Sequence, residues 1–357
     1  MAMTQSNGMP DQPAPALFFR EGSAAPPVDQ PARRSELQSR IMACIDDAPT
    51  SPAVVRHAIA VARGLGLSVT LARVLEKVQH PGSPADPIEW QLRRAQSQNQ
   101  LNHIVATEAG APVDMDSLLL TGFPAEELSR WAEDHDVALL ALSTSRDRKL
   151  APSSLGRTAQ QLLDKAYASL LLVPAADAAV ETVAYRKILV PLDGSSRAES
   201  VLPIAKRIAR EHGAEIVLAH VLPTLEVIDV EPAEQQAAEL RAMLRTHHER
   251  HAYNYLEGLR GALLNEGLAA SAIVGPDGDA RSQLRRLTIE QRIDLIVLSS
   301  HGQSGLADIP CGSVTEYLAT HTPAPMLIVR PSFAHGFASP MPESQFGPTV
   351  RDFKIAH

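Results

Sequence analysis

The chain has 357 residues, 45% of them hydrophobic and only 4% aromatic, with a formal net charge of −8. That length suits two ordinary domains, each with its own core, and the acidic balance argues against a nucleic-acid binder, which would carry a basic surface. The only cysteines, Cys44 and Cys311, fall in different halves, which argues against a disulfide framework and for a reducing cytoplasm.

Residues 1–36 are rich in Pro, Ala, Gln and Ser and show little periodicity, so they read as a disordered arm. Phe18-Phe19 is its one apolar spot, either an incidental pair or a docking point. The start carries no pattern of a secretory leader, and no run reaches the about 18 apolar residues that a membrane helix needs.

Beyond the arm the chain repeats itself. SRIMACIDDAPTSPAVVRHAIAVARGLGLSVTLARVL and RKILVPLDGSSRAESVLPIAKRIAREHGAEIVLAHVL align without a gap. Ile41 meets Ile188, Asp46 meets Asp193, Gly66 meets Gly213 and Val74 meets Val221. Further on, VALLALS (137–143) meets IDLIVLS (293–299) and Gly156 meets Gly312, at an offset nine residues larger. A period this long indicates two whole domains, expected at 37–176 and 183–331, with an irregular tail at 332–357.

Each copy reads as strand, helix, strand, long helix, strand, helix, strand, loop, helix, strand. In the second copy, Ile188–Leu192 is a short apolar run that ends in Asp193-Gly194, a strand and its turn. Val201, Ile204, Ala205 and Ile208 recur at helical spacing, and Gly213 suits the left-handed residue that closes a helix. Ile216–Val221 is the next strand, followed by a long charged helical stretch over about 231–267. His247 and His251 sit there at metal-site spacing, but HHERH lacks a third ligand and reads as a solvated face. Ala272–Val274, Leu295–Leu298 and Met326–Val329 complete the strands. Strands alternating with helices predict an α/β fold, with two tandem open five-stranded parallel sheets of order 3-2-1-4-5 covered by helices on both faces. In such a sheet ligands bind at the carboxyl ends of strands 1 and 4, where the order reverses. Asp193 and Ser299 stand at those two ends.

The stretch SSHGQSGLADIPCGS, Ser299 to Ser313, adds local chemistry at that place. A strand opens into a glycine-containing loop and then a helix start, whose first N–H groups and dipole favour an anion. Cys311 beside that helix start is either an inert small side chain or a redox-sensitive thiol. The first copy has STSRDRKLAPSSLGR instead. Ser143 and Arg146 replace the loop glycines, and Arg157 stands where Ser313 does. Two arginines there would crowd the phosphate space, or hold a smaller anion; a copy kept for packing is the favoured reading. RDRK at 146–149 reads as a solvated loop.

These features together make the second copy resemble a universal stress protein domain. The carriers are Val190-Pro191-Leu192-Asp193, then His220-Val221, then a loop of glycine, two residues, glycine, nine residues and Gly-Ser, and last Pro325-Met326-Leu327-Ile328-Val329. The resemblance spans about 185–331, and more weakly about 38–175, and departs from the pattern in having Ser299 at the first loop glycine. It implies an adenine-nucleotide α-hydrolase-like fold, a stress-response role, and ATP, with or without Mg. Adenine and ribose would lie near Pro191, Leu192, Asp193 and Val221. Phosphates would lie on Ser299, His301, Gly302, Gly312, Ser313 and Val314. Read without the resemblance, Gly302 and Gly312 serve either such a ligand or tight turns and close packing. The resemblance also implies pairing through the last strand, within one chain as a pseudo-dimer or between chains as a homodimer, while the protein partner is unknown. The chain lacks a GxxxxGK[ST] loop and a Ser-His-Asp arrangement at the expected site. Binding with slow or no hydrolysis is therefore expected over efficient catalysis, with a non-binding interaction module and a slow ATPase as the alternatives.

Overall fold

The computed structural model describes residues 40–76, 87–108, 110–144, 155–165, 167–174, 182–223, 234–301 and 311–337. The arm, Phe18-Phe19, the RDRK loop with Arg146, and Gly302 lie outside them. The first half runs β1 (Arg40–Cys44), α1 (Ser51–Leu65), β2 (Ser68–Leu75), α2 (Pro87–Thr107), β3 (Met115–Thr121), α3 (Pro124–Asp134), β4 (Val137–Ser143), α4 (Arg157–Lys165) and β5 (Ser169–Val173). The second half repeats this as β6 (Lys187–Pro191), α5 (Ser196–Glu199), α6 (Leu202–His212), β7 (Glu215–Val221), α7 (Glu234–Asn265), β8 (Ala270–Gly275), α8 (Ala280–Glu290), β9 (Leu295–Ser299), α9 (Ser313–His321) and β10 (Met326–Val329), and α10 (Pro331–Phe337) follows. Among these helices none is long and apolar enough to cross a membrane.

Each half keeps the expected order, but the two do not form separate sheets. The strands lie as β3-β2-β1-β4-β5-β10-β9-β6-β7-β8 in a single ten-stranded sheet. Pairing is parallel within each half, and the halves join where β10 runs antiparallel to β5, with Leu327 opposite Leu171. The physical reason is the edge. In isolation β5 and β10 would each expose a row of unpaired backbone groups, and both consist of fully buried residues. Pairing them satisfies the backbone and buries both apolar strands at once. Arg330 continues the seam: its backbone N–H donates to Ser169 Oγ at 3.0 Å and its Nη2 to the Leu163 carbonyl at 2.7 Å.

The helices on one face join the halves as well. A Cβ on Gly64 of α1 would come within 2.9 Å of Ile208 Cα on α6, so the glycine is what lets these two helices touch backbone to backbone. His57 Nδ1 meets the buried Tyr185 hydroxyl at 2.9 Å, and His212 Nε2 meets the Ala60 carbonyl at 3.0 Å. One apolar cluster packs under α1, α6 and α7, and a second under α3, α4, α8 and α9, each drawing on both halves.

Two local readings change. The helix expected after β6, with Val201, Ile204, Ala205 and Ile208 as its apolar period, stands as α6, and a separate short helix, α5, precedes it. Pro203, in the first turn of α6, has no N–H to extend a helix backward, while Ser195 caps α5 by accepting from the Ala198 N–H at 3.1 Å. The tail expected to be irregular from residue 332 opens inside α10, where Phe333 and Ala334 are buried in the core. Residues 338–357 lie outside the described part.

Candidate functional site

The site begins with the turns that end β6 and β9. Leu192 N–H donates to the Ala219 carbonyl at 2.7 Å and carries the chain past the sheet. Asp193 follows, and its Oδ1 accepts from the Ser195 N–H at 3.0 Å and from Ser195 Oγ at 2.6 Å. Gly194 has φ +82°, the left-handed turn that favours glycine. At the end of β9, Ser300 N–H donates to the Val329 carbonyl at 3.0 Å, and Gly312 N–H returns to the Ser300 carbonyl at 2.8 Å. Whatever path residues 302–310 take, the loop is closed at its base. Gly312 caps α9 in extended backbone (φ −70°, ψ 149°) with no side-chain hydrogen bond. Thr315 Oγ1 donates to the Ser299 carbonyl at 3.2 Å and ties the first turn of α9 to β9.

Between these turns lies a cavity of about 500 Å³, within the range of about 300–1,000 Å³ usual for small-molecule sites. Pro191, Leu192 and Asp193 line it from β6, Val221 from β7, Ser299 from β9, and Gly312, Ser313 and Val314 from α9. The sequence reading named all of these. His301 does not line it; it belongs to a neighbouring cavity, with Ser299 as the shared wall. The chain turns there: Ser299 Oγ donates to the His301 carbonyl at 2.6 Å, and Ser300 Oγ meets His301 Nδ1 at 3.0 Å.

Sequence reasoning missed most of the apolar wall, made by Ala219, Ala280, Leu284 and Leu298. Ala219 was within reach, since it stands two residues before Val221 and so faces the same side of β7. Ala280 and Leu284 repeat at i, i+4 on α8, but only the tertiary fold brings that helix over β7. Val221 also leans on Gly275, where an added Cβ would sit 3.2 Å from Val221 Cγ2.

The two ends of the cavity differ in charge. Near Asp193, Tyr255 on α7 donates to Glu199 Oε1 at 2.8 Å. Its phenol is pushed up by burial first, then by that hydrogen bond and by the negative charges of Glu199 and Asp193. This end suits hydroxyl donors. The start of α9 offers backbone N–H groups and the positive end of a helix dipole, and suits an anion.

The first half builds the same frame with other side chains. Gly156 N–H donates to the Thr144 carbonyl at 2.7 Å, and Gln160 N–H to the Gly156 carbonyl at 2.9 Å, matching Gly312 and Glu316 of the second half. Arg157 is the first residue of α4, where Ser313 begins α9. Asp46 makes a turn, accepting from the Ala48 N–H at 2.8 Å and from Ser51 Oγ at 3.0 Å.

The family model of the universal stress protein family matches residues 39–174 and 184–330, most of the chain. The chain belongs to the universal stress protein family. It carries two such domains, one in each half of the ten-stranded sheet. A universal stress protein of Methanocaldococcus jannaschii is 27% identical over 158 residues, which is 42% of this chain and 97% of that protein. One of Mycobacterium bovis is 25% identical over 202 residues, 56% of this chain and 63% of that protein. Among solved structures, a universal stress protein from Archaeoglobus fulgidus covers 82% of this chain and 98% of its own, at 18% identity and TM-score 0.58. The last likeness concerns the fold.

As in the sequence of this universal stress protein, Cys311 adjoins the α9 start, but its surroundings do not make it reactive. Burial pushes its thiol up to about 11, against a downward pull from Arg330, and burial pushes Cys44 up to about 12. A thiol reacts as its thiolate. At pH 8 a group at about 11 is roughly 0.1% ionised, against about a quarter for an ordinary thiol near 8.5. In the native protein both cysteines should therefore label with a disulfide reagent at least about 100-fold more slowly than in denaturant. Rapid native labelling of Cys311 would restore the redox reading. His247 and His251 stand exposed on α7, and no group of three or more His, Cys, Asp or Glu among the described residues is arranged to hold a metal.

Proposed function

We propose that the second domain, residues 183–331, binds an adenine nucleotide, ATP, and acts as a cytoplasmic stress-response sensor or regulator with slow or no hydrolysis. The observation that carries this is the single cavity that gathers Pro191, Leu192, Asp193, Val221, Ser299, Gly312, Ser313 and Val314. Its chemistry fits the ligand. Ala219, Val221, Leu284 and Leu298 offer an apolar slot to a purine, the carboxylate of Asp193 accepts from ribose hydroxyls, and the start of α9 receives phosphate. Magnitudes place most of the affinity in the slot. A helix N-terminus contributes about 0.3–2 kcal/mol, whereas micromolar binding needs about 8 kcal/mol.

Mg would arrive on the nucleotide's phosphates with its own waters, its usual manner of binding. ATP supplies a transferable phosphoryl group, but fast transfer needs several positioned charges. Among the described residues, the polar lining near the start of α9 is Ser299, Ser313, Thr315 and backbone. The first domain, residues 37–176, serves in packing and in the shared sheet.

Native mass spectrometry of the purified chain with added ATP tests the reading. One nucleotide per chain is expected, with phosphate release no faster than in buffer. Absence of bound nucleotide at millimolar ATP would favour a plain interaction module. Turnover in the ordinary enzyme range, about 1–10³ s⁻¹, would make the chain an ATPase.

A further inference from the structure

The first half opens a cavity at a place where the second half sets side chains against each other. It measures about 950 Å³ and lies between the β1–α1 turn, the end of β2 and one side of α2. β4, α3 and α4, the counterparts of β9, α8 and α9 at the nucleotide cavity, contribute none of its described walls. Its fixed point is Arg73, whose side chain is only 12% exposed. Arg73 Nη2 donates to Asp47 Oδ2 at 2.6 Å and Nη1 to Gln100 Oε1 at 2.7 Å. The amide N–H groups of Gln100 and the second oxygen of Asp47 remain as a donor and an acceptor, with no further bond among the described residues. Along α2, Arg93, Gln96, Gln100 and His103 recur at i, i+3, i+7 and i+10 and so line the cavity from one side, while Leu101 and Ile104 join the apolar core.

The duplication supplies an internal control. In the gapless alignment Arg73 corresponds to His220 and Pro52 to Glu199. Matching the fully buried Leu101 of α2 to the fully buried Leu256 of α7 sets Gln100 against Tyr255. In the second half these residues close on one another. Tyr255 donates to Glu199 Oε1 at 2.8 Å, and its ring meets His220 edge-on at 6.5 Å. The shared frame thus accepts an aromatic plug here, and the first half has an amide, a proline and a guanidinium in its place. Packing alone does not call for that exchange, because a polar group drawn toward the interior must be matched by hydrogen bonds.

We infer that this cavity of the first domain binds an uncharged polyhydroxy compound, a sugar or polyol, independently of nucleotide in the second domain. Carboxylates and guanidinium groups are equal in number around it, Asp46 and Asp47 against Arg73 and Arg93, so it favours a ligand without net charge. The carboxamides of Gln96, Asn99 and Gln100 and the Arg73–Asp47 pair mix donors with acceptors, and each hydroxyl of such a ligand both donates and accepts. Ile45, Leu75 and Ile104 add apolar wall, which suits the carbon faces of a sugar ring.

Saturation-transfer NMR with maltose, on the full chain, tests the site. The maltose signals are expected to gain saturation from the wild type at about 10 mM sugar, as a millimolar affinity requires. Gln100→Tyr installs the second half's aromatic plug at an exposed position of α2 and should cut the transfer at least fivefold, with circular dichroism unchanged. Gln96→Leu, also exposed, removes one amide without altering charge and should weaken the transfer at least threefold. Equal transfer from Gln100→Tyr and wild type would overturn the assignment. So would the absence of transfer from the wild type, or displacement of maltose by inorganic phosphate, which would make the cavity an anion site.

Discussion

Replacing Ala280 with tryptophan is expected to lower the affinity for ATP by about 100-fold or more, equivalent to about 2.8 kcal/mol at 1.4 kcal/mol per decade. Ala280 is the first residue of α8 and lines the apolar wall with Leu284. An indole there would occupy the space proposed for adenine, which carries most of the binding energy. The helix should survive the change. Asp279 caps α8 by accepting from the Arg281 N–H, and Ala280 is only partly buried, so no closed core is overpacked. Fluorescence titration with an ATP analogue, alongside circular dichroism to confirm the fold, reads the effect. An affinity within threefold of wild type would place the adenine elsewhere.

Leu327→Ala is expected to cost about 2–5 kcal/mol, the usual range for removing a buried leucine. Leu327 is fully buried, lies opposite Leu171 of the first half, and pairs on its other side with Val297. Truncation empties the middle of the joint between the two halves. Both tryptophans, Trp90 and Trp131, lie in the first half. Their fluorescence therefore reports whether damage made in the second half is felt in the first. In urea the variant should show one transition, at lower denaturant, that coincides by tryptophan fluorescence and by far-ultraviolet circular dichroism. A tryptophan midpoint unchanged from wild type would mean that the halves unfold independently and that the β5–β10 joint contributes little.

Much of this architecture is legible in the sequence because it is local. The gapless alignment sets the two halves. Gly66 and Gly213 close α1 and α6 with φ of 70° and 64°, as glycine after a periodic apolar run predicts. The strand-end position of Asp193 and the loop base at Gly312 follow from runs of a few residues. What was not legible depends on distant parts of the chain. The pairing of the two halves through their last strands was expected from the open edge and from the resemblance, and β5 and β10 bear it out; that this pairing fuses the two sheets into one is what no short pattern in either strand states. Gly64 reads as an ordinary helix residue until Ile208 is set against it. The position of α8 over Val221, and hence the role of Ala280, is likewise tertiary. His301 was assigned with its neighbours by motif, yet the turn after Ser299 carries it to the adjoining cavity. The short α5 was not read, because the apolar period begins only at Val201, after that helix has ended.

A crystal structure of the chain grown with ATP tests the central claim most directly. Adenine density between Val221 and Ala280, with the phosphates at Gly312 and Ser313, is the predicted result. Nucleotide bound elsewhere, or side chains closing the cavity between Asp193 and the α9 start, would contradict it.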